Sequence, residues 1–286
     1  MTVYYNLILL KPFRMNKELN DISLITKRTH ATQCDEEGGL TLLFDFGGTL
    51  DTAGCHWGKF LWYAYKRNGI PVTEEQFREA YVHAERTLGK LPIIQAHDTF
   101  LSMLTSKLKL EFEYLVDCGW LPEDKVEAER MQKVVVHDVY ERVKANIAES
   151  RDVLSELKKH YRIGLVTNFY GNMSVVLEEF GLSSYFETIT ESAVVGVRKP
   201  DSQIFNIAVK SMEVRLENVV VIGDSYTKDI LPAHELGCHT VWLKGEGWTS
   251  EEPTTCVADY NIKNLVELQS ILRQYTPLYC VNKILQ

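Results

Sequence analysis

No two cysteines in this chain stand close enough to read as a CxxC pair. The six that occur, Cys34, Cys55, Cys118, Cys238, Cys256 and Cys280, are scattered, which points to reduced, mostly buried thiols and away from a zinc site or a disulfide framework. A long apolar run is also missing. The stretch 3–10 is broken by Asn6 and preceded by no basic residue, so it fits neither a secretory leader nor a membrane span, and a cytoplasmic chain is expected. Positive charge is in short supply, with Lys+Arg 31 against Asp+Glu 39 and a net charge of -8. That balance excludes the nucleic-acid backbone or an anionic membrane as the main partner. There is no internal repeat and no low-complexity tract, and nothing in the sequence reads out an oligomeric state.

What is present is an ordinary globular composition, 45% hydrophobic and 24% charged, over 286 residues. That length suits one large α/β domain, or a core carrying a smaller inserted one. From residue 40 onwards, β-rich runs at 40–44, 162–166, 188–190, 219–222 and 240–243 alternate with amphipathic stretches at 153–160, 174–180, 204–212 and 230–236. Gly181 and Gly237 stand as stops after two of those stretches. The alternation predicts a parallel sheet wound with helices, an α/β fold.

Between the first two strands the pattern changes. Residues 55–148 contain almost no β-rich run and read as helices over 58–68, 74–88, 99–108 and 123–143. An all-helical block inserted after the first strand is expected to lie over the sheet's carboxyl edge. The expected organisation is therefore an extension over 1–38, with Met15 a second candidate start, a core over 39–54 and 149–275, the helical insertion over 55–148 and a tail over 276–286. A terminal helix is expected over 262–273.

In a doubly wound sheet, ligands bind beyond the carboxyl ends of strands near the point where strand order reverses. Polar residues that directly follow β-rich runs mark that edge: Asp45, then Thr167 and Asn168, then Asp224, with Lys199 in the loop beyond the third strand. Two carboxylates, a hydroxyl and an ammonium in one cleft suit phosphoryl transfer, which needs a nucleophile, charge neutralisation and a metal. Asp45 can attack phosphorus and also ligate Mg²⁺, a hard cation that takes carboxylate and carbonyl oxygens.

The strings Phe44-Asp45-Phe46-Gly47-Gly48-Thr49-Leu50, Val166-Thr167-Asn168, Val197-Arg198-Lys199-Pro200-Asp201 and Gly223-Asp224-Ser225 through Asp229 resemble, in order, the motifs of the haloacid dehalogenase superfamily. The resemblance covers about residues 40–275 and implies a Rossmann-like doubly wound core with an inserted helical cap domain. It implies Asp45 as a nucleophile forming an aspartyl-phosphate, and Asp45, the Gly47 carbonyl and Asp224 as ligands of a Mg²⁺ cofactor. It further implies Gly48, Thr167, Asn168 and Lys199 as phosphate-binding groups, with Asp229 in support of the metal water or of Lys199. The implied substrate is a small phosphorylated metabolite.

One position departs from the family pattern. Phosphatases of this family carry a second aspartate two residues after the nucleophile, and Gly47 stands there. Phosphorylation of Asp45 stays feasible, especially from substrates with acidic leaving groups, while hydrolysis of the intermediate is expected to be slow without an acid/base worth ~10²–10⁴-fold. Two alternatives stand beside a slow phosphatase or phosphotransferase: a non-catalytic phosphate-ligand sensor or scaffold, and a phosphonatase-like C–P hydrolase with Lys90 as its cap lysine. Asp229 also reads as an N-terminal cap of the helix that follows it. Asp51, Cys55 and Lys59 are candidates for touching substrate. The aromatic residues Trp57, Trp62, Tyr63, Tyr65 and Tyr81, at helical spacings, read as core more than as a substrate platform.

Overall fold

The structure, a computed structural model, describes residues 39–248 and 253–273; the extension expected over 1–38 and the tail over 276–286 lie outside the described residues. Strands β1 (Thr41–Phe44), β2 (Arg162–Thr167), β3 (Thr188–Glu191), β4 (Val219–Gly223), β5 (His239–Leu243) and β6 (Tyr260–Ile262) form one sheet in the order β3-β2-β1-β4-β5-β6. Every adjacent pair is parallel. Leu42 sits between Ile163 and Val220, so β1 is central and the connections reverse direction at its two sides.

Parallel strands covered on both faces bury both sets of side chains, which is why β4, and β1 after Thr41, are apolar instead of alternating. Leu42 and Phe44, with Val220 and Ile222, enter one core together with the helical insertion, whereas Leu43, Val219 and Val221 enter a second core with Ile204, Phe205 and Ala208. The first of these cores also takes α5 (Met173–Glu179), and the second face is closed by α7 (Gln203–Ser211).

The inserted helices are α1 (Trp57–Arg67), α2 (Glu74–Lys90), α3 (Phe100–Asp117) and α4 (Lys125–Leu157). Their starts are written locally: Thr73 and Gln76 form a reciprocal capping box, while Thr99 and Asp124 accept main-chain N–H groups of the first turns of α3 and α4. Tyr65, Phe77, Leu104, Leu108, Phe112, Val135 and Val139 are buried between them.

Two elements differ from expectation. The helices expected at 123–143 and 153–160 are one helix of 33 residues, because residues 144–152 hold neither glycine nor proline, and Ile147 and Ser150 continue its buried face. Position 148 therefore lies inside a helix. On the way back to the sheet, α4 fastens the segment after β1: Asn146 donates to the Asp51 carbonyl at 2.9 Å and Ser150 to the Leu50 carbonyl at 2.8 Å. The second difference is at the end of the sheet. Where a helix was expected from residue 262, the chain first adds the short β6, and Asn264 with Glu267 then caps a turn that leads into α9 (Leu268–Leu272).

Among the described residues, no helix is long and apolar enough to cross a membrane, and the four cysteines Cys55, Cys118, Cys238 and Cys256 are free thiols.

Candidate active site

Five polar side chains meet beyond the carboxyl ends of β1, β2 and β4. Asp45 leaves β1 with its N–H bound to the Ile222 carbonyl of β4 at 2.9 Å, so the sheet itself aims this residue. Thr167 ends β2, and Lys199 comes from the loop between α6 (Ser192–Val195) and α7. Asp224 follows β4 directly, and Asp229 sits in a wide helical turn, Tyr226–Ile230, that leads into α8 (Leu231–Leu236).

Lys199 is the centre of this group. Its Nζ donates to Asp45 Oδ1 at 2.6 Å, to Asp229 Oδ1 at 2.5 Å and to the Val166 carbonyl at 3.1 Å, and its side chain is 3% exposed. An ammonium with three acceptors has all its protons used, which is what its burial requires. Burial works against its charge, but Asp229 and Asp45 outweigh burial and raise its pKa. Asp45 is pushed up to about 6 by burial, with Lys199 pulling it back and Asp229 adding to the rise. Asp224 is raised well above the carboxylate range, first by burial and then by the charges of Asp45 and Asp229.

One carboxylate oxygen from each of Asp45, Asp224 and Asp229 lies within 4.8 Å of the other two. Three carboxylates against one ammonium leave excess negative charge in a poorly hydrated site, and an all-oxygen donor set is what a hard divalent cation takes. The residues therefore fit such an ion.

The glycines around this cluster are forced by its crowding. Gly48 has φ +101°, and a Cβ there would fall on the Asp224 carboxylate; at Gly223 a Cβ would sit 2.5 Å from Asp229. Thr49 ties the two sides together, giving its hydroxyl to Asp45 Oδ2 at 3.4 Å and to Asp224 Oδ1 at 3.3 Å while accepting the Asp224 N–H at 3.0 Å. Thr167 is different. Its Oγ1 is buried and has no hydrogen-bond partner, a costly state for a hydroxyl unless a ligand supplies the bond.

Two expectations for this group read differently in three dimensions. The Asn168 side chain accepts the Lys199 N–H at 2.9 Å and donates to the Lys199 carbonyl at 2.9 Å, so it holds the lysine's main chain. Asp229 is not the cap of α8. Ser225 caps the turn by accepting the Lys228 N–H, and the Asp229 carboxylate is spent on Lys199 and on the Ser225 N–H at 3.0 Å.

A cavity of about 170 Å³ opens above the cluster, floored by Asp45, Gly47, Thr167, Lys199, Asp224 and Asp229. Its walls and roof come from Phe169 and Tyr170 after β2 and from the inserted helices, notably Trp57, Tyr81, Glu85 and Lys107. Asp51, Cys55 and Lys59 do not line it. Asp51 is buried and accepts from the Gly48 N–H at 2.7 Å and the Trp57 indole at 3.0 Å, and burial pushes its pKa to about 7. Lys59 pairs with Glu246 at 3.0 Å. Lys90 is exposed at the end of α2, outside the cavity. Of the helical aromatics, Tyr65 is core and Trp62 stacks on Phe77, but Trp57 and Tyr81 face the cavity.

Among the cavity residues to which reading the sequence gave no role are His56, Glu85, Lys107 and Tyr170. For Lys107 a signal existed: α3 buries Phe100, Met103, Leu104, Leu108 and Phe112, and Lys107 and Glu111 fall on that same apolar stripe. A charge at core spacing asks for a buried partner or a ligand.

Residues 42–243 match the family model described as haloacid dehalogenase-like hydrolase. Among curated relatives, pyrimidine 5'-nucleotidase YjjG of Escherichia coli (strain K12) is 26% identical over 156 residues, 54% of this chain and 68% of the relative. A glyceraldehyde 3-phosphate phosphatase of Pyrococcus furiosus is 33% identical over 130 residues, 44% of this chain and 53% of the relative, so the match spans about half that enzyme. Among solved structures, the magnesium-bound putative HAD-hydrolase YfnB of Bacillus subtilis superposes with a TM-score of 0.50 at 20% identity, covering 83% of this chain and 100% of that one. A dehalogenase solved with an intermediate complex gives 0.55 at 14% identity, over 82% and 98%. At these identities the structures speak for the fold alone.

Proposed function

The chain belongs to the haloacid dehalogenase-like hydrolase family, and from that premise we propose that it is a Mg²⁺-dependent phosphatase or phosphotransferase acting on a small phosphorylated metabolite through an aspartyl-phosphate on Asp45. The observation that carries this reading is the buried ammonium of Lys199 joined to both Asp45 and Asp229, beside a Thr167 hydroxyl that no protein group satisfies.

In this reading Lys199 keeps Asp45 ionised by holding Oδ1, which leaves Oδ2, with only the long contact from Thr49, to attack phosphorus, while Asn168 fixes the lysine through its main chain. Thr167 Oγ1 donates to a non-bridging phosphoryl oxygen, which supplies the bond it lacks. A bond forms between an Asp45 carboxylate oxygen and phosphorus as the bond from phosphorus to the leaving-group oxygen breaks, and that oxygen takes its proton from solvent; water then attacks phosphorus, the Asp45–phosphorus bond breaks, and inorganic phosphate leaves with Asp45 restored. The Asp45 and Asp224 carboxylates with the Gly47 carbonyl would hold Mg²⁺, which when bound supplies positive charge against that of the phosphoryl group. Position 47 carries no group to protonate the departing oxygen. Substrates with acidic leaving groups are therefore favoured.

The test is a panel of phosphate monoesters and acyl phosphates with Mg²⁺, run beside Asp45→Asn. Turnover that the substitution abolishes supports the reading. A second reading rests on Gly47 itself: without an acid/base the site could bind a phosphorylated ligand and not process it. Mg²⁺-dependent binding of phosphate esters with no turnover of any acyl, aryl or alkyl phosphate would favour that sensor. The C–P hydrolase reading has less support. It needs a neutral amine, and Lys107, the cavity lysine that comes from the inserted helices, has its pKa raised by Glu85 against the effect of burial.

A further inference from the structure

If the floor of the cavity takes phosphate, the rest of the substrate faces the roof. There Lys107 and Glu85 form an ion pair, with the lysine side chain 7% exposed and the glutamate side chain 37%. The ammonium also lies over the Tyr81 ring at 4.6 Å and the Trp57 ring at 5.7 Å. Tyr170, from the core side, lines the same space. Burial opposes ionisation of both partners, but each holds the other charged. Glu111, one helical turn beyond Lys107, adds a second buried carboxyl beside it.

The roof's deepest cation is thus already neutralised. A leaving group bearing a carboxylate or a second phosphate would have to displace Glu85 from Lys107 and then meet the charge of Glu85 itself. A hydroxylated, uncharged group meets no such conflict, because one hydroxyl can donate to Glu85 while a neighbour accepts from Lys107, and its C–H face can lie on the Tyr81 and Trp57 rings. Arg198 and Lys228 also border the cavity, but both come from the core side and are exposed, so water screens them, and the charge of Lys228 is felt by Glu85 itself.

We propose that the Lys107–Glu85 pair sets the substrate class of this site: monophosphates of uncharged, hydroxyl-bearing compounds such as polyols and sugars, in preference to phosphate esters that carry a further anion. The inference rests on the phosphate-binding reading above.

It is tested on the full chain carrying Asp45→Asn, which binds without turnover, by calorimetric titration in Mg²⁺ with inorganic phosphate, glycerol 3-phosphate and 2-phosphoglycolate. Glycerol 3-phosphate is expected to bind at least about tenfold more tightly than 2-phosphoglycolate. Adding Glu85→Gln, which releases Lys107, is expected to shrink that ratio about tenfold or invert it. Equal or tighter binding of 2-phosphoglycolate without the Glu85 substitution overturns the proposal, and so does a ratio indifferent to it. The first comparison involves no change at the roof, so it decides the matter even if Glu85→Gln does not fold. Binding of inorganic phosphate without discrimination between the esters removes this proposal alone, whereas no binding of any of the three removes the phosphate reading as well.

Discussion

Restoring a carboxyl at position 47 is the perturbation that bears most directly on the proposed chemistry. Gly47 does not have a left-handed backbone, and a Cβ built on it meets only the Trp57 side chain, at 3.7 Å from Nε1 and 3.9 Å from Cδ1. These are ordinary van der Waals separations, so Gly47→Asp adds its Cβ without a clash at a position that lines the same cavity as Asp45. A positioned acid/base contributes ~10²–10⁴-fold, and at 1.36 kcal/mol per factor of ten this is about 2.7–5.4 kcal/mol of barrier. We expect Gly47→Asp to raise steady-state hydrolysis of an alkyl phosphate by an amount in that range. The gain for an aryl phosphate should be smaller, since its leaving group needs less help. Phospho-enzyme trapped by rapid acid quench should also decay faster. Gly47→Asn, of the same size but without the proton, separates acid catalysis from packing. Unchanged rates in a folded, Mg²⁺-binding Gly47→Asp protein would refute the reasoning, as would equal gains from the asparagine.

Thr167→Val removes a buried hydroxyl that no protein group satisfies, so stability in urea should hold or rise by about 1 kcal/mol, while Mg²⁺-dependent affinity for inorganic phosphate falls about tenfold. Gly48→Ala places a Cβ on the Asp224 carboxylate at a φ of +101°; a cost of about 1–3 kcal/mol in urea unfolding and weaker Mg²⁺ binding by calorimetry are expected. Glu111 is pushed from 4.5 to about 7 by burial, against Lys107 and the Tyr65 hydroxyl, which donates to it at 2.9 Å. A carboxyl raised in the fold stabilises fully below its unfolded pKa, and that contribution is lost as pH rises through about 7. Glu111→Gln should therefore flatten the fall in stability between pH 5 and pH 8 and exceed the parent at pH 8 by about 1–3 kcal/mol; a parallel pH profile would contradict this.

Helix and strand positions were legible wherever a periodic pattern extended over several residues. The five β-rich runs are strands β1 to β5, each within a residue or so of its expected ends, because each carries a short run of apolar or β-branched residues bounded by turn or helix signals. The three-residue β6 is too short to show a pattern, and pairing with β5 at Val241–Leu243 is what makes it a strand. The helix α4 was read as two because its middle is polar on one side; its buried face appears only once the packing against Leu50 and Asp51 is seen.

Sequence order alone determined which residues would stand at the sheet's carboxyl edge. Asp45, Thr167, Lys199 and Asp224 each follow a strand or lie in the loop beyond one, and parallel strands bring their carboxyl ends to the same side. Tertiary structure decided what each does there. That Asn168 serves the Lys199 main chain, that Trp57 borders the space beside Gly47, and that Lys107 meets Glu85 over the cavity all depend on contacts between residues 31, 10 and 22 positions apart, and on how one helix packs across another. Such contacts are set by the shape and volume of the whole core, which no local period records.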